Sequence, residues 1–183
     1  MEPENLQRTP FTTTTAKTND NSESWWSLIH WDDLDHWMQD NHHIHSYYRR
    51  ASYSYRRSFA SIFYVHNETI NIWSHLLPAL LSPPGALILY TILKPRYEKA
   101  TSADVVAMSC FFVGAAICLG MSAAFHTLSN HSPNVSRKWH QLDYAGIVCL
   151  ITGSFIPSVY YGFWCEPRKQ LLYWIMVSTG IAS

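Results

Sequence analysis

Residues 105–125 contain no Asp, Glu, Lys or Arg, a run of 21 side chains without a formal charge. A helix of that length rises about 30 Å, enough to cross the hydrocarbon core of a bilayer. In hydrocarbon every backbone polar group must be satisfied within the segment, so a single such run demands a helix. Two more apolar blocks accompany it. One covers about residues 69–93 and carries Asn71, Ser74, His75, Pro78, Pro83 and Pro84. The other covers about residues 143–164 and also has 21 uncharged residues in a row. A fourth begins near Leu171 and reaches Ser183 after 13 residues, too short to span. The pattern predicts an all-α membrane protein: three complete transmembrane helices, at about 69–93, 103–125 and 143–164, and a cut fourth at 171–183. Such a chain is expected to be a fragment or a truncated gene product.

The rest of the sequence is organised around these blocks. Aromatic residues make up 15% of the chain, with 8 Trp and 11 Tyr, which suits a protein with two membrane–water interfaces. The formal net charge is zero, which argues against a nucleic-acid partner. Residues 1–24 are polar and rich in Thr and Asn, so they predict a disordered tail and lack the apolar core of a cleavable signal. Residues 25–46 predict an amphipathic juxtamembrane helix, with Trp25, Trp26, Leu28, Ile29, Leu34 and Trp37 set among Asp32, Asp33 and Asp35. It could lie at the interface or pack on the protein itself. Residues 47–68 form a basic and aromatic segment whose Arg49, Arg50, Arg56 and Arg57 would attract anionic headgroups. Cys110, Cys118, Cys149 and Cys165 form no CxxC pair and read as small hydrophobes rather than a zinc knuckle or disulfide frame.

Lys and Arg in the short flanks set orientation. The N-terminal side has six (Arg49, Arg50, Arg56, Arg57, Arg137, Lys138) and the other side five (Lys94, Arg96, Lys99, Arg168, Lys169). That favours a cytosolic N-terminus, in the plasma membrane or an endomembrane. The sequons at Asn130 and Asn134 would then escape glycosylation.

Polar groups inside spans are costly, so each is a candidate for function. Ser122 and His126 lie four residues apart near the end of the second span, on one helix face. Asp143 opens the third. The connection between them is too short and polar to cross, so His126 and Asp143 belong near the same leaflet. An imidazole and a carboxylate placed together suit zinc and its activated water, with a hydroxyl nearby to orient it. The plainer readings are an interfacial histidine and an aspartate that merely caps its helix. Glu68, Asn71 and His75 form a polar stripe at the start of the first span. It should face the bundle interior, as a site element or as ordinary interhelical hydrogen bonding. His42, His43 and His45 read as a solvated tract, and His30, His36, His131 and His140 as non-ligands.

Three motifs go further. Residues 61–78, SIFYVHNETINIWSHLLP, resemble the first-helix signature of the progestin and adipoQ receptor family, which includes adiponectin receptors and hemolysin III-type proteins. Ser122-Ala123-Ala124-Phe125-His126 resembles its Ser-x-x-x-His motif, and Leu142-Asp143-Tyr144-Ala145-Gly146-Ile147 its aspartate motif at the third helix. Trp37-Met38-Gln39-Asp40-Asn41 resembles the segment before the first helix. The resemblance covers about residues 37–183 and implies a seven-helix bundle with a cytosolic N-terminus. It implies that His126 binds zinc, that Asp143 holds a zinc-bound water and that Ser122 hydrogen-bonds within the site. Two further ligands would come from a His-x-x-x-His motif on a seventh helix, which these 183 residues lack, so by themselves they are expected to be inactive.

The resemblance implies a receptor-like membrane protein of lipid and zinc homeostasis or signalling. The alternatives are a zinc-dependent, ceramidase-like lipid amide hydrolase and a structural membrane protein with a zinc staple. Expected partners are membrane lipid, a lipid, sterol or ceramide-like ligand, and a second copy of the chain.

Overall fold

The computed structural model describes residue 24 and residues 26–96 and 101–182. The tail proposed for residues 1–24 falls outside them, except for Ser24. Two short strands, β1 (Leu28–Ile29) and β2 (Tyr48–Arg49), pair antiparallel, with Leu28 opposite Arg49 and Ile29 opposite Tyr48. Five helices follow: α1 (Tyr55–Ala60), α2 (Thr69–Leu93), α3 (Ser102–Leu128), α4 (Pro133–Gly162) and α5 (Pro167–Ala182). Among the described residues, three helices are long and apolar enough to cross a membrane: Thr69–Ile92, Ser102–Leu128 and Pro133–Gly162. The chain is therefore an all-α integral membrane protein with a small extramembrane appendage.

The segment expected to be an amphipathic helix, residues 25–46, is not one over its described residues 26–46. It holds β1, two 3₁₀ turns (Trp31–Asp33 and His36–Met38) and a loop. The apolar side chains are too few and too irregularly spaced to bury one helical face. Leu34 is instead buried singly, and the Trp31 N–H bonds the His45 carbonyl 3.0 Å away. Within residues 47–68 the chain forms α1, capped by Ser54, whose hydroxyl accepts from the Arg57 N–H.

The third apolar block belongs to a longer helix than hydropathy suggests. α4 starts at Pro133 behind Ser132, so only residues 129–132 separate it from α3. Proline is preorganised for a first helical position, and polar residues can continue a helix that hydropathy does not see. Asp143 therefore lies ten residues inside α4 rather than at its start, and the reading of it as a helix cap is overturned.

α3 packs between α2 and α4. Its approach to α4 is set by glycines. A Cβ built on Gly153 would stand 2.5 Å from the Cys110 carbonyl oxygen, and one on Gly114 2.8 Å from that of Cys149. A Cβ on Gly146 would meet the Cys118 Cα at 2.9 Å. Backbone contact of this kind is how helices associate where burial against lipid gives no driving force. The four cysteines are free. α2 continues through Pro78, Pro83 and Pro84, and Ser82 donates across to the Phe112 carbonyl of α3 at 3.1 Å.

At the end that carries the appendage, the strap from Tyr47 to Tyr53 stitches the helices together. The Tyr47 carbonyl accepts from the Asn67 N–H, and the Ser52 and Tyr53 N–H groups donate to the carbonyls of Asn130 and His131. Asn130, from the first sequon, is buried. Its amide donates to the Arg50 carbonyl and its oxygen accepts from the Ser58 hydroxyl.

His66, just before α2, is 4% exposed. Its Nδ1 accepts from the Glu68 N–H at 3.1 Å, so the ring is held neutral. Burial, reinforced by the Arg49 charge, pushes its pKa from 6.5 down to about 4. The folded protein thus refuses a proton that the unfolded chain accepts. The stabilisation is complete above pH 6.5, falls as pH drops towards about 4, and amounts to about 3 kcal/mol at ~1.4 kcal/mol per pH unit. We predict that His66→Asn, whose oxygen can replace Nδ1 as acceptor, flattens this acid limb in thermal denaturation between pH 7 and 4. An acid limb as steep as the parent's would refute it.

Candidate functional site

The site is built where α2 begins and α3 ends. Glu68 stands directly before the first residue of α2, where the positive end of the helix dipole favours a carboxylate. His126 lies in the last turn of α3. Glu68 Oε2 and His126 Nδ1 are 2.7 Å apart, with the two side chains only 12% and 20% exposed. Asn71 donates to the same Oε2 at 2.8 Å and Asn67 to Oε1 at 3.0 Å. Burial alone would raise the Glu68 carboxyl. The hydrogen bonds from His126 and Asn71, with the charges of His126 and Arg49, outweigh it and hold the carboxyl below its ordinary value. An ionised carboxylate only accepts. Nδ1 of His126 therefore carries a proton, and in the neutral ring Nε2 then presents its lone pair. Members of the polar stripe predicted at the start of the first span gather at His126: Glu68 by a hydrogen bond, Asn71 through its own bond to Glu68, and His75 by its ring, 5.7 Å away between centroids. His75 Nδ1 is buried without a partner among the described residues.

Ser122, one turn before His126 on the same face, is buried. The register of α3 against α4 fixes Asp143. Phe125 stacks on His140 at 4.7 Å, and Gly146 meets Cys118 and Met121. Helices paired in this way place Asp143 level with Met121 and Ser122. That is about one turn, roughly 5–6 Å along the axis, from His126. No hydrogen bond or ion pair joins Asp143 to His126 among the described residues, nor do three His, Cys, Asp or Glu side chains gather into a set that could hold a metal. The donor chemistry at His126 nonetheless fits a metal ligand. A carboxylate that accepts from one ring nitrogen fixes the tautomer that leaves the other free, the usual arrangement behind a metal-bound histidine.

A cavity of about 240 Å³ opens beside this pair, under the appendage, lined by Trp37, Asp40, Tyr48, Asn67, Glu68 and His140 among others. Burial, then the Glu68 charge, raises the carboxyl of Asp40. A larger apolar groove of about 330 Å³ lies elsewhere, between α3, α4 and α5, and touches none of the site residues.

Two parts of this arrangement have no sequence signature. Arg49, one of four arginines expected at the headgroups, is 3% exposed and bonds the end of α3. The direct Glu68–His126 contact joins residues 58 apart and needs the α2–α3 packing to exist. The acidic residue at the start of an apolar block was the available signal, and it marked Glu68 but not its partner. His42 and His43 lie against each other with ring centroids 3.9 Å apart and planes tilted by 42°, and both are exposed, as a solvated tract would be.

Comparison with known proteins places this geometry in a family. Residues 63–183 match the Haemolysin-III related family. The chain is 44% identical over 162 residues to the adiponectin receptor protein of Drosophila melanogaster, covering 88% of this chain and 36% of that protein. It is 45% identical over 125 residues to progestin and adipoQ receptor-like protein 1 of Caenorhabditis elegans, covering 68% and 28%. Against progestin and adipoQ receptor family member 3 of Homo sapiens it is 34% identical over 123 residues, covering 67% and 39%. The chain thus spans well under half the length of these relatives. With its membrane helices, its motifs in order and this match over most of its length, the chain belongs to the haemolysin-III-related family of adiponectin and progestin receptor-like membrane proteins.

Proposed function

We propose that this chain forms the N-terminal part of a receptor-like membrane protein whose His126 site holds zinc in the full-length protein, in the service of lipid and zinc homeostasis or signalling. The observation that carries the proposal is the Glu68–His126 pair at 2.7 Å, which leaves Nε2 of His126 available as a ligand. The names of the relatives support the receptor-like part. His126 would be the ligand from this segment, Glu68 would orient it, and the remaining ligands would come from parts of the protein beyond residue 183. Zinc, when bound, supplies a Lewis acid and an acidified water. The chain's own contribution is positional: Glu68 holds the ring proton at Nδ1, and Asp143 and Ser122 share a level along the axis, with Ser122 on the His126 face of α3.

That shared level favours a second reading, zinc-dependent hydrolysis of a ceramide-like lipid amide. A carboxylate and a hydroxyl one turn from a metal ligand suit a water nucleophile and a carbonyl oxygen. Under both readings we place the N-terminus in the cytosol. Flank charges act on the unfolded chain during insertion, so the later burial of Arg49 does not cancel its contribution.

The test is metal analysis of the purified full-length protein. His126→Ala is expected to remove the co-purifying zinc, while His140→Ala retains it. Equal zinc in the His126→Ala protein and the parent would end the proposal. Release of fatty acid from ceramide that is lost in Asp143→Asn would select the hydrolase reading over the receptor.

A further inference from the structure

Beyond the strap's own bonds, one side chain of the appendage reaches the His126 end of α3 directly. Arg49 reaches from β2 to the last turn of α3, 77 residues away in sequence. Its Nη2 donates to the His126 carbonyl at 2.7 Å and to the Ser129 hydroxyl at 3.0 Å. Its Nη1 donates to the Thr127 carbonyl at 3.0 Å and to the Ser61 hydroxyl at 2.7 Å. The last carbonyls of a helix have no partner within it, and they carry the negative end of its dipole. A planar, charged fork meets two adjacent carbonyls at once, which a single ammonium cannot do. Burial lowers the Arg49 pKa to about 10, which still leaves the group charged at neutral pH.

The placement has a consequence for His126. Its carbonyl is held by Arg49 and its ring by Glu68, so the residue is fixed at both ends. The fourth partner, Ser61, lies in the 3₁₀ turn Ser61–Phe63 that leads into α2, where Glu68 sits. A single guanidinium thus spans the element that brings Glu68 and the element that brings His126. We infer that Arg49 is a positioning residue: it sets the separation of Glu68 and His126, which makes the extramembrane appendage a working part of the site. The inference rests on the zinc reading only where metal affinity is its readout.

The experiment uses the full-length protein with labelled histidine. The Nδ1 proton of His126, protected by its bond to Glu68, is read by NMR in the metal-free form, and zinc affinity is read separately. Arg49→Lys keeps the charge at the end of α3 but loses the fork. It is expected to fold, to lose the protected Nδ1 proton through fast exchange with water, and to bind zinc about 10- to 100-fold more weakly, as for other outer-shell partners. An Arg49→Lys protein with the parental proton signal and parental zinc affinity overturns the inference. Should that variant fail to fold, Ser129→Ala removes one of the four bonds. Faster exchange of the same proton is then expected, and unchanged exchange overturns the inference. A protein that binds no zinc, yet whose proton signal responds to Arg49→Lys, keeps the positioning role and loses only the zinc reading.

Discussion

Gly153→Ala is expected to cost the protein its α3–α4 interface, the largest effect of any single methyl group in the chain. The added Cβ would stand 2.5 Å from the Cys110 carbonyl oxygen and close to the Cα of Gly114. Both neighbours are backbone, so no rotamer change relieves the overlap. The helices must separate or slide, and overpacking of this kind costs about 1–3 kcal/mol even where side chains can yield. In a membrane, the association of α3 with α4 rests on van der Waals contact, so separating them removes what holds them together. The site suffers in turn, since α4 carries Asp143 and α3 carries Ser122 and His126. Gly120 is the control. A Cβ there meets nothing within 4 Å, and Gly→Ala inside a helix stabilises by about 0.5–1 kcal/mol. Thermal midpoints in one detergent should place Gly153→Ala far below the parent and Gly120→Ala at or above it. Equal midpoints for the two would show that the glycine contact does not set the packing.

The second large effect is expected at Glu68→Ala. The substitution leaves the His126 Nδ1–H, in a largely enclosed setting, without its acceptor. An unsatisfied buried donor costs about 1–3 kcal/mol, which in a chain of this size is a drop of several degrees in Tm. The functional loss should exceed the loss of stability. With no carboxylate to fix the tautomer, the proton can move to Nε2 and block the nitrogen that would bind zinc. A 10- to 100-fold weakening is usual for the loss of such a partner. Glu68→Gln separates the two effects. Its amide oxygen still accepts from Nδ1–H, so the midpoint should recover most of the loss. The uncharged partner makes the ring less basic, so zinc affinity should recover only in part. A Glu68→Ala protein with parental Tm and parental zinc affinity would show that the contact contributes nothing.

Much of the fold could be read from the sequence because membrane helices announce themselves locally. An uncharged run of 21 residues leaves the backbone no other way to satisfy its hydrogen bonds, whatever surrounds it. The three spans and their order follow from that one constraint, and so does the placing of His126 at the same end of the bundle as the start of the first span. Helix ends were harder. Most of the first ten residues of α4 are polar, and hydropathy reports where lipid lies rather than where a helix begins, so Asp143 was placed at a helix start it does not occupy. The residues before the spans were harder still. Residues 25–46 have the composition of an interfacial helix, but residues 26–46 pair with one another and with Tyr48, Arg49 and Arg50 instead.

The sequence by itself determined that this chain crosses a membrane as helices, that Ser122 and His126 share a face, and that Glu68, Asn71 and His75 form a stripe. Periodicity and hydropathy are properties of neighbours in the chain, and these conclusions needed nothing else. Only the tertiary structure decided that Glu68 meets His126 at 2.7 Å, and that Arg49 leaves the headgroup region to cap α3. It also set the register of α3 against α4, which brings Asp143 level with Met121 and Ser122 along the helix axis. Those contacts join residues far apart in sequence, and they depend on how closely α2, α3 and α4 approach. The approach of α3 to α4 is set by glycines whose role becomes visible only when two backbones touch.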